Sequence, residues 1–387
     1  MSPEWIWLIF LFAFGSCIGS FLNVVIYRLP RDKSIVRPPS SCPSCESRIQ
    51  FYDNIPLFSW LILRGRCRHC KARISPRYFI VELSTAVMFV GVYALFFMVG
   101  LRRFDGNEPT WNSFLAGGWL FYLACMILLS AFLAASAIDL ELWVIPISLC
   151  WFVTIVGIAA STAAPFVMDA ATIRAYRIFP VAGAVTGAMA AGGAVGLVIS
   201  LIGLATGKIK RSYEYPEDFE GETEEDEPDF KHRIEVARET LFLLPVIVGV
   251  LIGYVVLCRV ESVRPWWVNT MQSPVLAGFL GSLWGYLAGC AVVWATRILG
   301  TLAFGKEAMG LGDVHLMGAA GAVIGPLPVV LAFFIAPFFG LAWAAYQAIF
   351  KKTRQIPYGP FLSMAVFAVM ILHDEFGAWI AGLYLYQ

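Results

Sequence analysis

Long apolar runs constrain this chain more than any other feature. From Trp5 to Ile26 no charged residue occurs, and about 20 such residues suffice for an α-helix to cross the hydrocarbon core of a bilayer. Runs of similar length, with at most one charged residue each, cover about 79–101, 114–138, 147–167, 181–205, 240–257 and 274–298. From Val314 the pattern breaks at Gly325-Pro326-Leu327-Pro328, which reads as a short helix, a turn and a returning span to about Phe350. A last run ends near Tyr386. The expected fold is therefore an all-α polytopic membrane protein with about 8–10 transmembrane helices, the longest polar stretch near the N-terminus forming a small loop domain. Composition agrees, because 59% of the 387 residues are hydrophobic and 14% charged, against roughly 25% charged in soluble domains. The bilayer is the expected partner. The net charge of +1 gives no reason to expect nucleic acid.

Charge placement orients the spans. The first run has no basic segment before it, so it is expected to be a span, not a cleaved signal peptide. Its positive flank, Arg28, Arg31 and Lys33, follows it. Lys and Arg collect on the cytoplasmic side, which predicts an outside N-terminus. The stretch 28–77, with eleven Lys/Arg against Asp32, Glu46 and Asp53, is then a cytoplasmic loop. Lys351-Lys352-Thr353-Arg354 is a second cytoplasmic marker. The expected segments are a first span at 1–27, a tetra-cysteine cytoplasmic loop at 28–78, and spans carrying Asp139 at 79–205. An acidic disordered cytoplasmic insertion at 206–240 follows, then spans carrying Asp313 at 241–387.

Within the first loop lie Cys42-Pro43-Ser44-Cys45 and Cys67-Arg68-His69-Cys70, two CxxC pairs with 21 residues between them. Structural zinc needs four thiolates gathered from two tight turns, and this spacing is close to the usual one. A reducing cytosol disfavours disulfides, which leaves four unmetallated thiols as the alternative. Four protein ligands leave no open position for water, so the zinc would be structural, and His69 reads as a loop residue. The scattered cysteines at 17, 125, 150, 258 and 290 read as small buried apolar residues.

The stretch Met309-Gly310-Leu311-Gly312-Asp313-Val314-His315-Leu316 places a carboxylate on a glycine-loosened turn before an apolar segment. At the centre of a bilayer an aspartate costs roughly 2.5–3.5 kcal/mol on insertion scales, so it is a functional candidate. A helix N-cap is the structural alternative. Counting spans puts a second carboxylate, Asp139, at the cytoplasmic end of the third span, followed by Trp143 at an interface and Pro146 in the first turn of the next helix. Glu141 reads as a solvated loop residue, since positions two apart do not share a helix face. Asp139 and Asp313 lie 174 positions apart and are expected at similar depth. Two carboxylates sharing a site do not both ionise easily, so one keeps a proton while the other is charged. That arrangement activates water and protonates a departing amide nitrogen, and its titration belongs to the pair. Gly310 and Gly312 permit a tight turn and the approach of an extended substrate. An aspartyl hydrolase at the inner membrane surface is the resulting expectation.

Two further patterns carry less chemistry. Gly183, Gly187, Gly192 and Gly196, and again Gly281, Gly285 and Gly289, are spaced as helix-packing stripes. Between Glu214 and Asp229 stand ten Asp/Glu and no Lys or Arg, a composition that reads as a solvated, disordered insertion. Attraction of a basic peptide to this acidic stretch is its functional alternative.

Together these motifs resemble the type IV prepilin peptidases, membrane aspartic proteases with a GxGD motif. The resemblance rests on residues 19–30 (GSFLNVVIYRLP), the two CxxC pairs, Ile138-Asp139-Leu140 with Ile145-Pro146, Gly310-x-Gly312-Asp313-Val314 and Pro357-Tyr358-Gly359-Pro360-Phe361. Presenilin-like proteases share GxGD but not the cysteine loop. The resemblance implies removal of the short basic leader of type IV prepilins or pseudopilins, the subunits of type IV pili and type II secretion, at the cytoplasmic face of the bacterial inner membrane. It implies Asp139 and Asp313 as the catalytic pair. It also implies N-methylation of the new N-terminus with S-adenosylmethionine, for which no Gly-rich nucleotide motif is present. Two departures are the long stretch between the aspartates and His315, where the family commonly has Lys. A transporter relaying protons through the two aspartates is the reading from another class. The cysteine loop and the interfacial placement of both residues count against it.

Overall fold

The computed structural model describes residues 4–42, 44–104, 111–213, 231–350, 357–377 and 379. The acidic stretch Glu214 to Asp229, the Lys351 to Arg354 marker and the end of the last run lie outside them. The main helices are α1 Glu4–Arg28, α2 Pro76–Phe97, α3 Trp119–Leu142, α4 Ile147–Ala163, α5 Ala184–Ala205, α6 His232–Tyr254, α7 Pro274–Phe304, α8 Leu311–Ile324, α9 Pro326–Phe350 and α10 Gly359–Ile371. Among the described residues eight helical stretches are long and apolar enough to cross a membrane, and α8 and α10 are shorter apolar helices. The protein is thus a multi-pass helical membrane protein. The only extended pairing among these residues is two isolated bridges in the cysteine loop.

Boundaries follow local chemistry. The Ser75 side chain accepts from the Arg77 N–H and Pro76 opens α2, because a missing N–H costs nothing in the first turn. Gly117, at φ +116, ends the turn Phe114–Gly118 before α3, a backbone conformation that favours glycine. α3 runs on to Leu142, so Asp139 lies in its last turn and Glu141, expected in a loop, is helical too. α6 starts at His232, inside the segment expected to be disordered. Its first turns are polar and therefore carry no apolar signal, yet Glu235 and Glu239 are buried, each in an ion pair with an arginine.

The chain divides into two units, 1–150 with 335–387, and 151–334. In the first, α1 lies against α2 with Gly19 so close that an added Cβ would stand 2.6 Å from the Glu82 Cα. Leu22, Ile26, Val81, Ala134 and Ile138 form a core joining α1, α2 and α3. Ser136 on α3 and Ser363 on α10 are hydrogen-bonded at 3.0 Å.

In the second unit α5 and α6 meet backbone to backbone. Gly192 faces Gly249 and Gly253, and Gly196 faces Pro245. Gly285 and Gly289 of α7 likewise meet Gly321 and Met317 of α8. These are the packing roles expected of the stripes, since close approach increases van der Waals contact where lipid supplies no hydrophobic drive. Gly183 instead is the residue capping α5 at its N-terminus, and its N–H donates to Thr186 Oγ1 at 2.9 Å.

Candidate active site and metal centre

The cysteine loop builds the same turn twice. The N–H of Glu46 donates to Cys42 O at 2.8 Å and that of Cys42 to Ser47 O at 3.0 Å; the N–H of Lys71 donates to Cys67 O at 3.1 Å and that of Cys67 to Ala72 O at 2.9 Å. Glu46 and Lys71 take matching positive φ values of +56 and +59. The two turns bring the four sulfurs of Cys42, Cys45, Cys67 and Cys70 within 4.8 Å of one another. Cys42 to Cys70 is 3.8 Å and Cys45 to Cys67 is 4.0 Å. A tetrahedron with Zn–S of about 2.3 Å has edges of about 3.8 Å, so the cluster can hold zinc. A disulfide would need about 2.05 Å. Side-chain and backbone hydrogen bonds with Ser47 pull the Cys45 thiol down to about 6, whereas burial and the three neighbouring cysteines push that of Cys70 up to about 11. His69 stays exposed and outside the cluster, as expected of a loop residue.

Asp139 belongs to the first unit. It occupies the last turn of α3 and is 6% exposed. Its Oδ2 accepts from the Gly359 N–H at 3.1 Å, the first residue of α10, where the helix dipole favours a negative charge. A Cβ on Gly359 would lie 2.7 Å from that oxygen. Glu141 is exposed, but it pairs with Arg77 and is not merely solvated.

Asp313 belongs to the second unit and is 8% exposed. The residue capping α8 is Gly310, so Asp313 is the third helical residue and not the cap. Its charge still sits in the favourable first turn. The preceding loop is fixed by Arg297 of α7, which is 3% exposed. Its guanidinium donates to Glu239 Oε1 at 2.8 Å, to Glu307 Oε1 at 2.5 Å and to the Met309 carbonyl. Trp294 Nε1 donates to the other Glu239 oxygen at 3.0 Å, and the Tyr213 ring stands 5.1 Å from the Arg297 guanidinium. His315 is half-buried, with its ring 6.0 Å from that of Trp151.

Sequence reasoning assigned no role to Gly359, Arg297, Glu239 or Glu307. A lone arginine near the end of an apolar run was the available signal for Arg297. Gly359 gave only its place in a motif.

Fold and site thus define a class, a polytopic membrane protein with two acids buried in the end turns of apolar helices and a tetrathiol loop. The model of the Bacterial Peptidase A24 N-terminal domain matches residues 13–96, and that of the Type IV leader peptidase family matches residues 229–345. The cysteine loop and Asp313 fall inside these matches and Asp139 falls between them. The chain belongs to the type IV leader peptidase family. The "Prepilin leader peptidase/N-methyltransferase" of Klebsiella pneumoniae is 36% identical over 191 residues, which cover 48% of this chain and 70% of that protein. The relative of the same description from Aeromonas hydrophila is 25% identical over 403 residues, covering 97% of this chain and 94% of its own. That from Myxococcus xanthus is 44% identical over 163 residues, 42% of each chain. The chain thus spans under half the length of the Myxococcus xanthus relative, and 46% of the "Type 4 prepilin-like proteins leader peptide-processing enzyme" of Escherichia coli. No solved structure matches.

Proposed function

We propose that this protein is an aspartic endopeptidase that removes the leader of prepilin-like substrates at the cytoplasmic face of the bacterial inner membrane, with Asp139 and Asp313 as its catalytic pair. The observation that carries this reading is that both aspartates are buried, at 6% and 8% exposure, in the terminal turns of apolar helices. A buried acid survives there only with a partner or a function. In the reaction one carboxylate takes a proton from water as the water attacks the scissile carbonyl. The other, protonated, donates to the amide nitrogen as the C–N bond breaks. Gly359 positions Asp139 through its N–H, and the Arg297 network positions the loop before Asp313.

The four thiolates would hold zinc as a structural ion that ties the cysteine loop together. The second half of the relatives' names extends the proposal to N-methylation of the new N-terminus with S-adenosylmethionine as donor. No residue is assigned to it, and no step is routed through it. The domain limits follow the spans, with the stretch 214–229 as an insertion between the two halves of the catalytic pair.

The test is cleavage of a prepilin-like peptide by purified protein in detergent, beside Asp139→Asn and Asp313→Asn. Cleavage by the parent and its loss in each variant is the expected result. An inactive parent, or a variant that cleaves undiminished, would reject the dyad, and proton-coupled transport in vesicles would then favour the relay.

A further inference from the structure

The cysteine loop contains a short helix, Phe58–Ile62, fastened to the second turn of α2. The Trp60 ring stands 5.2 Å from that of Phe79, Leu57 and Ser59 are buried, and the Leu57 N–H donates to Glu82 Oε2 at 2.7 Å. Glu82 lies six residues past Pro76, about 9 Å along the helix axis. Leu57 takes φ +64, a strained backbone for leucine that is held in place by these contacts. The short helix therefore lies beside the apolar body of α2 instead of beyond its end. Phe58, Leu61 and Ile62, at positions i, i+3 and i+4, are exposed at 64%, 53% and 74%, and Ile80 and Leu83, which flank the Phe79 and Glu82 contacts on α2, are exposed as well.

Cations follow at once. Arg64, Arg66 and Lys71 are exposed, and with Ile62, Leu63 and Cys67 they line a cavity of about 420 Å³. Nearby Arg68 and Arg77 are neutralised by Asp53 and Glu141. Among the described residues no ion pair includes Arg64, Arg66 or Lys71. Bulky apolar side chains at the depth of a span, bordered by unneutralised cations, are what an anionic lipid surface recognises. We propose that this face of the cysteine loop docks on anionic phospholipid, with Phe58, Leu61 and Ile62 among the acyl chains and Arg64, Arg66 and Lys71 on the headgroup phosphates.

Hydrogen–deuterium exchange of the full-length protein in nanodiscs tests this. One set of discs is phosphatidylcholine alone and the other contains phosphatidylglycerol, with the amides of α1 and α2 as internal controls for folding. The expected result is at least about fivefold slower exchange over residues 58–66 in the anionic discs, the size of one cation's attraction to such a surface. The Arg64→Gln/Arg66→Gln/Lys71→Gln variant should equalise the two, and Phe58→Ser/Ile62→Ser should speed exchange in both. Equal exchange of the parent in the two discs, or an undiminished difference in the triple variant, overturns the proposal. Slowing of exchange in phosphatidylcholine discs by free glycerol phosphate would move the site to a soluble anion and overturn the bilayer assignment.

Discussion

Gly359 leaves no room for any side chain on the carboxylate side of its Cα. Gly359→Ala puts a methyl group 2.7 Å from Asp139 Oδ2, so the carboxylate or the start of α10 must shift. A misplacement of this size costs on the order of 100-fold in rate. The expected outcome is that loss in kcat for peptide cleavage with little change in melting temperature. Arg297 makes the opposite kind of prediction. Arg297→Met leaves Glu239, 3% exposed, as an uncompensated buried charge, at about 3–5 kcal/mol of stability. A detergent melt should show that loss, and Arg297→Met/Glu239→Leu should recover part of it. Neither role was legible in sequence. Both depend on residues far along the chain, Gly359 against Asp139 and Arg297 against Glu239, which no local pattern connects.

Two elements are open to direct tests. In the cysteine loop Arg68 forks onto both oxygens of Asp53 at 2.5–3.0 Å, and those hydrogen bonds hold the Asp53 carboxyl below its usual range. A depressed carboxylate stabilises above its unfolded value of about 3.9, and the contribution is lost as pH falls through the folded value. Asp53→Asn should therefore weaken the loop at neutral pH, and the gap from the parent should close on acidification, measured by limited proteolysis within 48–72. Metal analysis should find one zinc per chain. Its removal by a chelator should open the same segment to protease while the spans stay protected, because structural zinc supplies the folding energy of such sites. The other element is the glycine seam between α5 and α6. Gly192→Leu would drive a side chain into the Gly249 backbone, and the expected result is loss of the folded protein on size-exclusion chromatography. The loop was legible from its paired CxxC spacing and the α5 side of the seam from its small-residue period, but Gly249 and Gly253, which meet it from α6, were not read as a stripe. The start of α6 was not legible, since its first turns are polar and are ordered by Arg238 and Arg297 instead of by apolar burial.

For the whole molecule, apolar run length predicted the multi-pass helical fold, and it did so because a bilayer demands about 20 apolar residues per crossing. Run edges were less legible. Phe114 to Gly118 carries the composition of a span but departs from α-helix at Gly117, and Asp313 lies in its helix where sequence allowed a cap. Counting spans predicts one face of the membrane for Asp139 and Asp313 but carries no distance between them, and the cleavage assay on the two Asn variants tests the pairing. The doubled turn of the cysteine loop has a consequence for how the chain is made. Cys70 precedes Pro76 by six residues, so a chain growing from its N-terminus has all four thiolates before any of α2 exists. Capture of metal at that moment would close the loop first and present α2 to the membrane from a fixed anchor, making metal supply during synthesis, as well as in the finished protein, a determinant of correct insertion.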